Sequence, residues 1–147
     1  GCGKTRIIAY TIFDDDGETT FRDLERLVIA DLCAGSQQII SAGGGAFVDA
    51  ANRMLMLISG LVICLSATPK TIFSRVGADE GDTSPLRPLL VGDSPGDNPL
   101  DRIESLLIQR ANAYSQAHHT IETDSLTPQQ VAEHILELCK FKNFSGE

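Results

Sequence analysis

The chain has 147 residues, about one domain at roughly 100–200 residues each. Its 12 Lys and Arg stand against 20 Asp and Glu, a formal net charge of -8. That balance excludes general binding to a polyanion such as nucleic acid, yet it allows a small anionic ligand held by a few arginines in one pocket. Hydrophobic residues at 42% and charged residues at 22% exclude global disorder. No apolar run reaches the ~20 residues that span a bilayer, so no membrane partner is expected. Cys2, Cys33, Cys64 and Cys139 form no C-x-x-C pair and have no His completing a zinc pattern. They read as buried, reduced thiols rather than a disulfide or metal set. Without a signal peptide, the expectation is a soluble, cytoplasmic protein.

In chain order, Tyr10 to Phe13 is β-prone and runs into Asp14-Asp15-Asp16. Phe21 to Leu32 carries apolar residues at 21, 24, 27, 28 and 32, the period of an amphipathic helix. Gln38 to Ser41 reads as a short strand entering a glycine triplet. Asp49 to Ile58 is again helical. Leu61 to Leu65 is a continuous apolar run, as expected of a strand buried on both faces. From 77 to 99 the chain is acidic, rich in Gly, Pro, Ser and Asp, and aperiodic, which suits a lid or a disordered loop. Leu100 to Gln116 is a long amphipathic helix, and a last strand is expected after His118-His119. Thr127-Pro128 opens a helix, with Thr as N-cap and Pro at the first position. Alternating strands and helices favour an α/β fold, a single domain over 1–147 with a parallel sheet covered on both faces.

Two junctions break that pattern. Gly1-Cys2-Gly3-Lys4-Thr5 ends like a phosphate-binding loop, but the first glycine and strand of such a loop would precede Gly1. Lys4 and Asp14 are also too close for a β-α-β crossover, which needs at least ~10–12 residues. Segments are therefore expected to be missing before Gly1, after Thr5 and after Asp16. Otherwise the sheet lacks its central strand.

Several groups carry chemistry, each beside a plainer reading. In a Gly-rich turn the backbone N–H groups cradle phosphates, the Lys neutralises them and the Thr hydroxyl holds Mg²⁺; a chance G-x-G-K-T is the alternative. If Tyr10 to Phe13 is a strand, Asp14 and Asp16 project to the same side at its C-terminal end, the ligand-binding edge of open sheets. One carboxylate can serve a metal and the other a substrate hydroxyl; the alternative is a solvated acidic turn. Gly43, Gly44 and Gly45 let backbone approach a ligand, or simply turn the chain. Arg22 with Glu25 can be a surface ion pair, and Arg110 with Tyr114 a helix C-terminal charge. Arg87 within Arg87-Pro88-Leu89-Leu90 can close on phosphates, or the apolar residues can pin the loop. His118 and His119, with no third ligand nearby, read as surface or packing residues.

Taken in order, these motifs resemble the shikimate kinases. The family pattern is a G-x-G-K-[ST] loop, F-x-D-x-D, G-E-x-x-F-R-x-x-E, G-G-G, R-P-L-L and R-x-x-x-Y. Here it reads Gly1 to Thr5, Ile12 to Asp16, Gly17 to Glu25, Gly43 to Gly45, Arg87 to Leu90 and Arg110 to Tyr114. Ile12 replaces the first aromatic, and the loop and the helix after Asp16 are incomplete. The adenine-side segment falls loosely near Thr123-Asp124.

The resemblance implies a P-loop kinase with a five-stranded parallel sheet flanked by helices, a substrate-binding region and a lid over 77–99. It implies ATP-dependent phosphorylation of the 3-hydroxyl of shikimate, a step of aromatic amino-acid synthesis, by a cytoplasmic monomer (in the plastid stroma if from a plant). By position, Gly1, Cys2, Gly3, Lys4 and Thr5 would hold ATP, and Arg87 would close over its phosphates. Thr5 and Asp14 would hold Mg²⁺. Asp16 would bind the substrate hydroxyls and accept a proton. Arg22 and Arg110 would clamp the carboxylate beside Gly43, Gly44 and Gly45. A gluconate or nucleoside monophosphate kinase is the nearest rival, disfavoured by the two arginines. A non-catalytic interaction domain of the same fold is opposed by the presence of every mapped catalytic residue.

Overall fold

The computed structural model describes the backbone of residues 2–77 and 98–143, and the side chains of 17–76 and 98–140. Gly1 and residues 78–97, with Arg87 and nearly all of the expected lid, lie outside the described residues. The chain divides into two compact units, 1–61 and 62–147.

The first unit holds α1 (Cys2–Ala34) and α2 (Ala50–Ser59). Helix α1 is two helices meeting at Gly17, whose φ of 83° and ψ of 168° are not helical. Glycine takes that left-handed φ without a Cβ penalty, so the chain changes direction there. Tyr10 to Phe13, expected as a strand, is helical, and so are Asp14 to Asp16. A strand completes its backbone hydrogen bonds only against a neighbour, whereas a helix satisfies them locally. Among the described residues no strand pairs with this segment, and the helix forms. Gln38 to Ser41 likewise forms no strand; Ile39 is 98% exposed.

The expected helix over Phe21 to Leu32 lies within α1, but Leu24, Leu27 and Val28 of its apolar set are exposed while Ile29 is buried. α1 packs on α2 through a polar seam instead: the Arg26 Nε and Nη2 donate to Asp49 Oδ2 at 3.0 and 2.8 Å. Asp49 is also the N-cap of α2, its Oδ1 accepting from Ala51 N and Asn52 N at 3.0 Å each. One side chain thus starts the helix and ties it to α1. Between the helices, residues 43–48 form a tight turn closed by Ala46 N to Gly43 O and Val48 N to Gly45 O. Arg53 Nη1 donates to the Phe47 and Val48 carbonyls, joining the turn to α2.

The second unit runs β1 (Ile63–Ser66), α3 (Pro69–Gly77), α4 (Pro99–Tyr114), β2 (His119–Glu122) and α5 (Pro128–Asn143). β1 and β2 are parallel, with Ile63 opposite His119 and Ser66 opposite Glu122. Among the described residues the sheet has these two strands. β1 begins two residues later than expected and is half-buried, with Leu65 exposed, because two strands cannot cover both faces of one another. His118 Nδ1 accepts from Val62 N at 3.0 Å, a structural role for that histidine. Thr127 caps α5 as expected: its Oγ1 accepts from Gln130 N and Gln130 Oε1 accepts from Thr127 N, a capping box. Cys33, Cys64 and Cys139 are free thiols, but Cys33 and Cys64 are half-buried and Cys139 is exposed, so the expectation of burial is corrected. Cys139 lies on the solvent side of α5, whose helical pattern alone does not bury it. No described helix is long and apolar enough to cross a membrane.

Candidate active site

The turn of α1 after Gly17 carries Phe21, Arg22 and Glu25 on one stretch of helix. Arg22 Nη1 donates to Glu25 Oε2 at 2.7 Å, and its Nη2 lies 3.5 Å from Glu18 Oε1. The guanidinium carbon sits 5.2 Å from the centre of the Phe21 ring. The side chains of Arg22 and Glu25 keep only 22% and 14% of their exposure, so the pair is shielded but not sealed. The guanidinium is pressed against Gly45. A Cβ added there would stand 2.6 Å from Nη1 and 2.9 Å from Nη2. The structure therefore joins two motifs 23 positions apart, the arginine of the helix and the last glycine of the triplet. Around Gly43 a Cβ would meet nothing within 4 Å, so close approach is a property of Gly45. Alongside, Asp49 is held below the usual carboxylate range by the Asn52 backbone N–H and then by Arg26.

In the second unit Arg110 lies on α4, its Nη1 3.5 Å from the Tyr114 hydroxyl one turn on. Tyr114 also borders a cavity of about 230 Å³ between β1, α3 and α4, with Cys64, Ile72, Leu107 and Thr120. Burial pushes the Cys64 thiol pKa up, which makes it a poor nucleophile.

A polar cluster lies at the C-terminal ends of β1 and β2, the edge where parallel sheets bind ligands. Asp124 Oδ1 accepts from the Thr68 and Thr71 hydroxyls at 2.6 and 2.5 Å and from Thr68 N at 3.0 Å. These bonds, the Thr68 hydroxyl first, lower its pKa to about 2. Arg75 Nη1 and Nη2 donate to Thr123 Oγ1 and Thr123 O, and Thr123 Oγ1 donates to Ser66 O. Thr123 and Asp124 were only loosely legible as a site segment. Thr68, Thr71 and Arg75 were missed, because their partners are 48 to 56 positions away.

Gly3, Lys4 and Thr5 lie in the first turn of α1, while the side chains of Cys2, Lys4, Thr5, Asp14 and Asp16 are outside the described residues. Since Tyr10 to Asp16 is helical, strand alternation no longer supports pairing Asp14 with Asp16. Among the described residues no cluster of His, Cys, Asp and Glu could hold a metal.

The model of the shikimate kinase family matches residues 1–140. The shikimate kinase of Thermus thermophilus is 36% identical over 134 residues, covering 91% of this chain and 68% of that one. That of Salinibacter ruber is 39% identical over 117 residues, covering 77% and 55%. The chain thus spans between about half and two thirds of these relatives' length. Among solved structures, shikimate kinase from Acinetobacter baumannii in complex with shikimate matches with a TM-score of 0.76 at 31% identity, over 89% of this chain and 69% of that one. Shikimate kinase from Aquifex aeolicus matches at 0.66 and 26% identity, over 92% and 72%. The ordered motifs, the α/β topology and a family match over nearly the whole sequence agree: the chain belongs to the shikimate kinase family.

Proposed function

We propose that the chain transfers the γ-phosphoryl group of ATP to the 3-hydroxyl of shikimate, the ligand of its Acinetobacter neighbour. The observation that carries this reading is Arg22 seated on Gly45 within a chain of this family. A guanidinium already oriented by Glu25 presents its remaining N–H groups as a planar fork, which suits a carboxylate. This explains how a chain of net charge -8 holds an anionic substrate. Arg110 supplies the second positive contact, and the backbone of Gly43, Gly44 and Gly45 lines the approach.

Phosphoryl transfer asks mainly for in-line positioning and neutralised charge. Gly1, Cys2, Gly3, Lys4 and Thr5 grip the phosphates, and Arg87 closes over them. Asp16 accepts the proton of the 3-hydroxyl as its oxygen bonds to the γ-phosphorus and the bond to ADP breaks. Thr5 and Asp14 offer a hydroxyl and a carboxylate, the hard oxygen donors that Mg²⁺ takes, so by donor chemistry they fit that ion. Bound there, it would neutralise charge on the β- and γ-phosphates. The sheet of the full P-loop fold has five strands, with 77–99 as its lid, in a cytoplasmic monomer.

The test is ADP release from ATP with shikimate, gluconate and a nucleoside monophosphate compared side by side, with Lys4→Met as the inactive control that keeps its melting temperature. Shikimate as the preferred acceptor supports the reading. Preference for gluconate, or normal turnover in Lys4→Met, sinks it.

A further inference from the structure

Arg22 meets Gly45 only while α1 lies close to the turn over 43–48. Little apolar surface on α1 serves that purpose. Among its described residues only Ile29 is a buried hydrophobic side chain, while Leu24, Leu27 and Val28 stay exposed. A second polar contact spans the same two stretches of chain. Arg26 follows Arg22 by one helical turn, about 6 Å along the axis at ~1.5 Å per residue. Asp49 follows Gly45 by the same number of positions and comes directly after Val48, where the turn closes. Arg22 reaches Gly45 at one level, and Arg26 reaches Asp49 at the next.

The second contact is well defined. Arg26 Nε and Nη2 both donate to Asp49 Oδ2, at 3.0 and 2.8 Å, and its Nη1 donates to Asp23 Oδ1 at 2.8 Å. Asp23 lies on α1 itself, so it orients the guanidinium without crossing to another element. The other oxygen of Asp49 caps α2, and Arg53 of α2 holds the Phe47 and Val48 carbonyls. Turn, cap and α2 are thus one hydrogen-bonded piece, and Arg26 ties α1 to it.

We propose that Arg26 and Asp49 are positioning residues for the substrate arginine: their ion pair holds α1 against the turn and so keeps the Arg22 guanidinium seated on Gly45, where it meets the substrate carboxylate. Without the pair Arg22 spends part of its time off that seat, and apparent substrate affinity falls with the seated fraction. This rests on the reading that shikimate binds at Arg22.

The test uses the full chain and two readouts. Arg26→Gln removes the cation, and Asp49→Ser keeps an N-cap oxygen for α2 but is too short to reach Arg26. Each should raise KM for shikimate about two- to fivefold, the worth of a partly exposed ion pair, with kcat and KM for ATP unchanged. The two together should cost no more than either alone, and Arg26→Lys should recover part of the loss. In Gly45→Ala, whose Cβ displaces the guanidinium, Arg26→Gln should add nothing further. An equal added loss in that background overturns the proposal, because the pair then acts by another route. An unchanged KM for Arg26→Gln, or a lower melting temperature without a change in KM, also overturns it. The second readout needs no substrate. The Arg22 Nε–H resonance, identified by its loss in Arg22→Lys, should become more mobile in ¹⁵N relaxation when Arg26 is replaced by Gln, and unchanged relaxation overturns the proposal. If Asp49→Ser fails to fold, Arg26→Gln and the Arg22 resonance decide. Wild type that does not bind shikimate refutes the functional reading, and the Arg22 resonance still tests the pair.

Discussion

Replacing Gly45 by alanine should separate substrate binding from folding. The new Cβ would stand 2.6 Å from Arg22 Nη1, 2.9 Å from Nη2 and 3.1 Å from Cζ, and real methyl groups do not come within 3.0 Å of such atoms. Something must move. Gly45 is not among the positive-φ glycines, so alanine brings no backbone strain. What gives way is the far end of a flexible side chain, and the guanidinium leaves the turn. The folding cost is then limited to loosening its i,i+3 pair with Glu25, about 0.3–1 kcal/mol for a partly shielded pair. The binding cost is larger. A charged hydrogen bond to the substrate carboxylate is worth about 1.5–3 kcal/mol, or roughly 10- to 150-fold in affinity. Titration calorimetry with shikimate and a thermal melt on the same preparation read both numbers. Gly43→Ala is the control for the turn, since its Cβ meets nothing within 4 Å and Arg22 stays where it is. Unchanged shikimate affinity in Gly45→Ala would refute the claim that Arg22 must sit on this glycine to work.

Arg110→Ala should weaken shikimate binding by the same 10- to 150-fold or so while ATP affinity holds, and Arg110→Lys should restore only part, because an ammonium lacks the planar fork; equal affinity for the Lys variant counts against a two-pronged contact. Asp49→Ala removes the N-cap of α2 and the anchor of Arg26, and should lower stability by about 0.5–2 kcal/mol in urea unfolding. The pKa of Asp124 is lowered to about 2 from 3.8, so its contribution to stability is complete above the higher value and fades as pH falls through the lower. Acid melts of Asp124→Asn should therefore lose part of the wild-type decline between pH 4 and pH 2, and curves that stay parallel would deny the cluster a role in stability.

What could be read from the sequence depended on how far away each residue's partner lies. The Thr127 N-cap and the helices through Phe21 to Leu32 and Asp49 to Ile58 involve neighbours within four positions, and the structure has all three, with Asp49 itself as the cap of the second. Strands are different, because the backbone groups of Tyr10 to Phe13 and Gln38 to Ser41 need partners that β propensity cannot supply. Where the partner strand exists, as for Leu61 to Leu65, the apolar run did mark a strand, which starts two residues later and ends one residue later than the run.

The site follows the same rule one level up. Arg22 and Gly45 were each legible as motifs, but their contact was not, since spacing in the chain says nothing about which glycine a guanidinium touches. Thr71 and Arg75 of α3, and Thr68 just before it, gave no signal of their own, each being ordinary until Thr123 and Asp124 meet it across the sheet end. Arg22 is announced by a family motif and excludes a Cβ at Gly45. That contact belongs to the fold rather than to any motif in the sequence.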